Sequence, residues 1–211
     1  MLIRDLSAIA AGVLCLPALA QHAHHDPDQA TIADRVHYCQ PGAEGQLRGG
    51  YVMMDVPVDD GGTIARGSGA VTTILDNGPA DNRIDLTFVG DGYTAANMGL
   101  YHAHVQNQYA DFFGFEPFAT YQPYFNVHRV DVVSNDSGVD NDPGQGVSRD
   151  TALDMGFWCG GTERLLCVSV NKARNEASAA PGRDQVIAVA NSTKYGGAGY
   201  TSSNLATTSG G

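Results

Sequence analysis

Basic residues are scarce in this chain. Twelve Lys and Arg stand against 23 Asp and Glu in 211 residues, a formal charge of −11. An acidic surface repels phosphate backbones, which argues against nucleic-acid partners. Long apolar runs are lacking as well. The one clear run, Leu6 to Leu16, is shorter than the roughly 20 residues a membrane-spanning helix requires, so no membrane span is expected. The four cysteines include no Cys-x-x-Cys pair, which excludes a zinc ribbon. There is no Gly-x-Ser-x-Gly elbow of the serine hydrolases and no Gly-x-x-x-x-Gly-Lys phosphate loop.

The sequence has the features of an exported protein. Arg4, the apolar stretch Leu6 to Leu16 and the small-x-small site Ala18-Leu19-Ala20 form the three parts of a signal peptide over residues 1–20. Residues 21–35 are polar and carry His22, His24 and His25, and read as a flexible mature N-terminus. Export permits disulfides. Cys159 and Cys167 flank Gly160-Gly161 and form the natural pair. Cys39 is left over, either bridged to sequence outside this chain or a buried free thiol. The chain is expected to be secreted or periplasmic.

Residues 36–81 alternate apolar stretches such as Tyr51–Val58 and Val71–Leu75 with Asp-Gly and Asn-Gly turns, and read as a small β module. The pattern changes at Asn82. Ile84–Val89 is an alternating strand, and Gly90-Asp91-Gly92-Tyr93 is a tight turn. Met98, Tyr101, His102, Val105, Tyr109 and Phe112 then recur at helical spacing. Gly114 and Pro117 stop that helix, and Phe125–Val133 is a second strand. Strand, helix, strand argues for a crossover unit with a helix on the sheet. Lys172–Ala180 reads as a helix and Gln185–Asn191 as a further strand. Tyr195–Gly211 is Gly, Ser and Thr without periodicity and reads as loop.

Asp136, Asp140, Asn141 and Asp142 crowd the loop after the second strand. Oxygen ligands at such spacing suit calcium, but the spacing misses the EF-hand, and a solvated acidic loop is the competing reading. His102 and His104 are two apart on a helix and point in different directions. His128 sits on a strand between Val127 and Arg129. Packing or surface roles suit all three histidines better than metal ligation.

Three ordered blocks carry a resemblance: Ile84 to Tyr93, Glu163 to Val168, and Asp184-Gln185-Val186 running into Asn191 to Gly197. Over residues 82–211 the sequence resembles the IgA metallopeptidase family of bacterial zinc peptidases. The resemblance implies an α+β or α/β zincin (metzincin-like) fold: a twisted mixed sheet with helices on it, preceded by the small β module. It also implies a helix carrying His-Glu-x-x-His, in which two histidines bind zinc and the glutamate is general base toward a metal-bound water. No such motif occurs in the 211 residues. No zinc ligand or catalytic base can therefore be assigned to a residue here.

The expected function is a secreted zinc metallopeptidase that acts on a peptide or protein substrate. Residues 82–211 would form an incomplete catalytic domain that lacks the C-terminal zinc helix and is inactive alone. Gln185, Val186, Ile187 and Tyr195 are the expected substrate-aligning edge. Loss of the zinc helix is expected to bare the apolar face of the 84–89 and 125–133 strands. The alternative is a secreted non-catalytic binding module, calcium-stabilised in one version.

Overall fold

The computed structural model describes residues 30–41, 46–58 and 67–211. The signal-peptide reading, and the first part of the flexible N-terminus with its three histidines, fall outside those residues. Eleven elements follow in chain order: β1 (Thr31–Pro41), β2 (Leu47–Pro57), β3 (Ala70–Leu75), β4 (Ile84–Asp91), α1 (Met98–Gly114), α2 (Phe118–Tyr121), β5 (Phe125–Asp131), α3 (Val170–Ala177), β6 (Gln185–Ala190), β7 (Gly197–Tyr200) and β8 (Leu205–Ser209). All eight strands join one sheet in the order β2-β1-β7-β8-β6-β4-β5-β3. The centre is parallel, with β4 pairing β5 and β6, and β6 pairing β8. The flanks are antiparallel.

The parallel centre follows from its sequence. In β4 every residue after Ile84 is buried, as a strand covered on both faces requires. Leu86 and Phe88 meet Tyr101, Val105 and Phe113 of α1 on one face, together with Val127 of β5 and Val189 of β6. Val89, Val130, Val186 and Ala188 turn the other way, toward Val170, Ala173 and Ala177 of α3. Each helix presents buried residues three and four apart, the period of a one-sided helix. Chain order and sheet order together give a doubly wound centre. From β4 the chain crosses by α1 to β5 on one side, then by α3 to β6 on the other. The reversal point lies between β4 and β6.

Several expectations are corrected here. Residues 36–81 are not a separate module. Strand β1 pairs with β7, and β3 pairs with β5, so the segment supplies flanks at both ends of one sheet. Thr31–Asp34, expected to be flexible, open β1. The expected loop Tyr195–Gly211 contains β7 and β8, and β8 is interior to the sheet. The face of the 84–89 and 125–133 strands is not bare, because α1 covers it. The less covered area is the same side of β1 and β2, where Tyr51 and Met53 are exposed. Cys39 is a free thiol but an exposed one.

Cys159 and Cys167 form the disulfide, eight residues apart. It closes a short loop against the larger core cluster. Reduction is expected to cost about 2–3 kcal/mol by the loop-entropy argument, read as a lower urea midpoint at unchanged slope.

Three tyrosines are buried with their hydroxyls: Tyr93, Tyr101 and Tyr200. Burial pushes the Tyr200 phenol up to about 12. It also raises Tyr93 and Tyr101, aided by the charges of Asp91 and Asp131 respectively. Each folded value lies above the unfolded value of about 10. The associated stability is therefore fully present below pH ~10 and is lost as pH rises through the folded values. Alkaline titration is expected to give a cooperative collapse, with tyrosinate absorbance rising in step with loss of circular dichroism. A non-cooperative titration near pH 10 on an intact fold would contradict this burial.

Candidate functional site

In an open sheet of this winding, ligands bind outside the carboxyl ends of the strands at the reversal point. Here that place is bounded by Asp91-Gly92-Tyr93 after β4, Asn191-Ser192 after β6 and Gly210 after β8. Residues 134–157 pack over it from the α3 side.

Asp91 organises the crevice. It is fully buried, and its carboxylate accepts four hydrogen bonds. Oδ1 takes Leu153 N at 2.8 Å and Ser134 Oγ at 3.2 Å. Oδ2 takes Met155 N at 2.8 Å and Thr151 Oγ1 at 2.9 Å. Ser134 Oγ gives its proton to Asp91 and accepts from Gly92 N and Ala152 N. Burial raises the Asp91 carboxyl above its ordinary range, while the four donors pull it back. A carboxylate whose lone pairs are all engaged cannot take up a substrate proton, so Asp91 is an anchor for the long loop.

Beside it, Tyr93 Oη lies 2.7 Å from His104 Nδ1 and donates to Ala190 O at 3.2 Å. Burial lowers the His104 pKa, which favours a neutral ring. Gly210 runs directly over this pair. A Cβ there would collide with the His104 ring and lie 2.6 Å from Tyr93 Oη. Asn191 Nδ2 bridges Gly92 O at 2.8 Å and Ser137 Oγ at 3.1 Å, and Gly211 N bonds Ser192 O. The strand ends at the reversal point are thus tied together by backbone and small polar groups.

The sequence-selected residues scatter. Gln185, Val186 and Ile187 open β6 at the opposite end from the crevice. They are no edge, because β6 is paired on both sides, to β4 and β8. Backbone groups engaged in two ladders have none left for an incoming peptide. Tyr195 alone lies on the crevice side, in the loop after β6, and is exposed. In the acidic loop, Asp136 accepts from Asp150 N, Asp140 from Arg149 N, and Asn141 from Gly146 N while donating to Phe157 O. Asp142 sits in the same turn. The Asp136, Asp140 and Asn141 side chains hold the loop's own backbone, and no metal-binding group of three His, Cys, Asp or Glu exists among the described residues. The calcium expectation is without support.

Zinc fares no better with the residues present. His102 Nε2 bonds Asp131 Oδ2 at 3.1 Å, while His104 is turned inward to Tyr93. His128 is held between Asp85 Oδ1 and Thr73 Oγ1, both at 3.1 Å. Asp85 is itself buried and also accepts from Asn126 Nδ2. This chain of bonds fastens edge strand β3 to β4 and β5. The described residues do not fit a zinc ion.

Sequence reasoning missed Asp91, the Tyr93–His104 pair and the Asp85–His128 pair. The one available signal was Gly-Asp-Gly closing a buried strand, a carboxylate followed by a glycine at positive φ.

A family model described as IgA Peptidase M64 matches residues 72–210. The match begins in β3 and ends just after β8, so it takes in the whole parallel centre and the crevice. No curated protein matches the chain.

Proposed function

Because the chain belongs to the IgA peptidase M64 family, we propose that it is the substrate-facing scaffold of an exported metallopeptidase, with the metal ligands supplied from outside these 211 residues. The observation that carries this reading is the extent of the match, which covers every strand that builds the crevice. Gly92 and Gly210 are buried there, and the half-buried Asn191 and the exposed Tyr195 are the groups that a peptide laid across these strand ends would meet. The signal-like N-terminus and the Cys159–Cys167 bridge suit an oxidising compartment. Peptide-bond hydrolysis requires a polarised carbonyl and an activated water. In this family's chemistry a bound zinc would supply both. The residues described here hold and shape; they do not supply that ion.

The test separates holding from cutting. The purified chain is titrated with zinc and followed by metal analysis, then assayed on casein. It is expected to retain no stoichiometric zinc and to cleave nothing. Amide shifts at Asn191, Ser192 and Gly210 should nonetheless move with an unstructured peptide. One zinc per chain with proteolysis would overturn the placing of the ligands elsewhere. Absence of any peptide-induced shift would overturn the scaffold reading.

A further inference from the structure

Next to the crevice, the loop of residues 157–164 meets the loop after β6. Three buried donors lie on these two adjoining loops. Trp158 Nε1 and Arg164 NH1 are buried without a hydrogen bond, and Lys194 Nζ is buried with Glu163 Oε1, 3.1 Å away, as its ion-pair partner. Buried donors left unpaired are costly, and each needs an explanation. Aromatic faces supply part of it. Lys194 Nζ lies 4.8 Å from the centroid of the Phe157 ring and 5.9 Å from that of Trp158, and the Arg164 guanidinium lies 4.9 Å from that of Tyr195. Ring faces attract the two cations but take no hydrogen bond from the indole N–H.

The neighbourhood shows which chemistry it accepts. Among the described residues the carboxylate paired here is Glu163, whose Oε1 is 3.1 Å from Lys194 Nζ on a side chain 55% exposed. In a chain of net charge −11, two cations and an indole donor on two adjoining loops, with Glu163 as the acid paired to one of them, are an unusual concentration of anion-seeking groups. Trp158 is held at φ 67°, a left-handed conformation uncommon for a bulky residue. Strain of that kind persists where the surroundings fix the side chain. Tyr195 lies over Arg164, is 53% exposed, and is followed by Gly196-Gly197.

We propose that Trp158, Arg164 and Lys194 form a subsite for the carboxylate of an acidic peptide side chain, with Tyr195 as its movable cover and Glu163 as the resident acid that the ligand displaces. The peptide origin of the carboxylate rests on the peptidase reading; the carboxylate chemistry does not.

Trp158 is the only tryptophan in the chain, so its fluorescence reports on the site directly. The full chain is titrated with two blocked tripeptides, N-acetyl-Ala-Glu-Ala-amide and its Gln counterpart, and separately with acetate. A saturable change with the Glu peptide is expected, at least about tenfold weaker with Gln, the loss for one charge-assisted hydrogen bond. Arg164→Gln should weaken the Glu peptide by a similar factor. Glu163→Gln, a surface change with no structural cost expected, should tighten it. Equal response to Glu and Gln peptides would overturn the subsite while leaving the peptidase scaffold standing. Response to acetate alone would keep the anion site and remove its peptide assignment. No response to any of the three would overturn the subsite, and amide shifts elsewhere in the crevice would then show whether the scaffold reading survives. Tightening in Glu163→Gln decides the matter even if Arg164→Gln fails to fold.

Discussion

Asp91→Ala is expected to cost at least about 4 kcal/mol, because four buried donors lose their acceptor together and each unsatisfied group costs roughly 1–3 kcal/mol. The donors come from Ser134, Thr151, Leu153 and Met155. The carboxylate thus ties the end of β4 to both ends of the 134–155 segment at once, beside the backbone bonds that Tyr93 O and Gly92 O accept from Ser134 N and Gly138 N. Ser134 carries the loss further, since its hydroxyl also receives Gly92 N and Ala152 N. A loss of that size is a large part of the roughly 5–15 kcal/mol that holds a domain folded. Asp91→Asn should be intermediate. Its oxygen keeps one pair of donors, while its amide faces the other pair donor to donor. The sign of the pH effect is distinctive. Burial raises the Asp91 carboxyl, so its contribution is greatest below the unfolded pKa of about 4 and diminishes as pH rises through the folded value. Acid alone should therefore not release the loop through Asp91. His104 acts in the opposite direction. Its lowered pKa means stability is present above about pH 6.5 and is lost as pH falls toward the folded value. Urea unfolding of wild type and both variants at several pH values measures all of this. An Asp91→Ala midpoint close to wild type would show that the loop stands without its anchor.

The unit β4–α1–β5 was legible because its residues speak one at a time. Leu86 and Phe88 alternate with Thr87 and Val89, and Tyr101 and Val105 fall on one helical face. The parallel pairing follows from a helix that long between two strands. Strands β7 and β8 were not legible. Ala198, Leu205, Thr207 and Ser209 are buried, but Thr207 and Ser209 are polar and their satisfaction is non-local. Thr207 Oγ1 donates to Leu166 O, and Ser209 Oγ donates to Lys194 O. A strand whose inward face is hydroxyl shows no apolar period. Its partners, 15 and 41 residues away, supply what the local pattern lacks. The same reason hid the site. The acidic loop reads as a cation cage because its carboxylates are close in sequence. In space each one is drawn to the nearest free backbone N–H, which is how Asp and Asn side chains ordinarily compete in loops. The carboxylate that matters, Asp91, stands alone in the sequence. Its donors begin 43 residues later.

Glycine substitutions then provide the sharpest contrast within one chain. Gly92 has φ +72°, and a Cβ there would overlap the carbonyl of Gly138. That carbonyl cannot retreat. Gly138 N donates to Gly92 O at 3.0 Å, and Asn191 Nδ2 reaches the same oxygen at 2.8 Å. The two loops are therefore clamped at the contact distance that a methyl group would violate. Gly92→Ala meets both penalties at once: left-handed backbone costing about 1–2 kcal/mol, and overpacking against fixed backbone costing about 1–3 kcal/mol. A destabilisation of roughly 3 kcal/mol is expected, with the damage confined to the crevice: amide exchange should quicken at Ser134, Gly138 and Asn191 before the α1 core loosens. Gly99 is the counterpart. It lies in the first turn of α1, and a Cβ there meets nothing within 4 Å. Gly99→Ala should stabilise by about 0.5–1 kcal/mol, since alanine gives up less chain entropy in a helix. Opposite signs from one methyl group, measured by the same urea titration, would show that the crevice is built by close backbone approach. Equal and small effects would mean that the turn after β4 has room to move, and a crevice with that freedom could not hold a peptide in register.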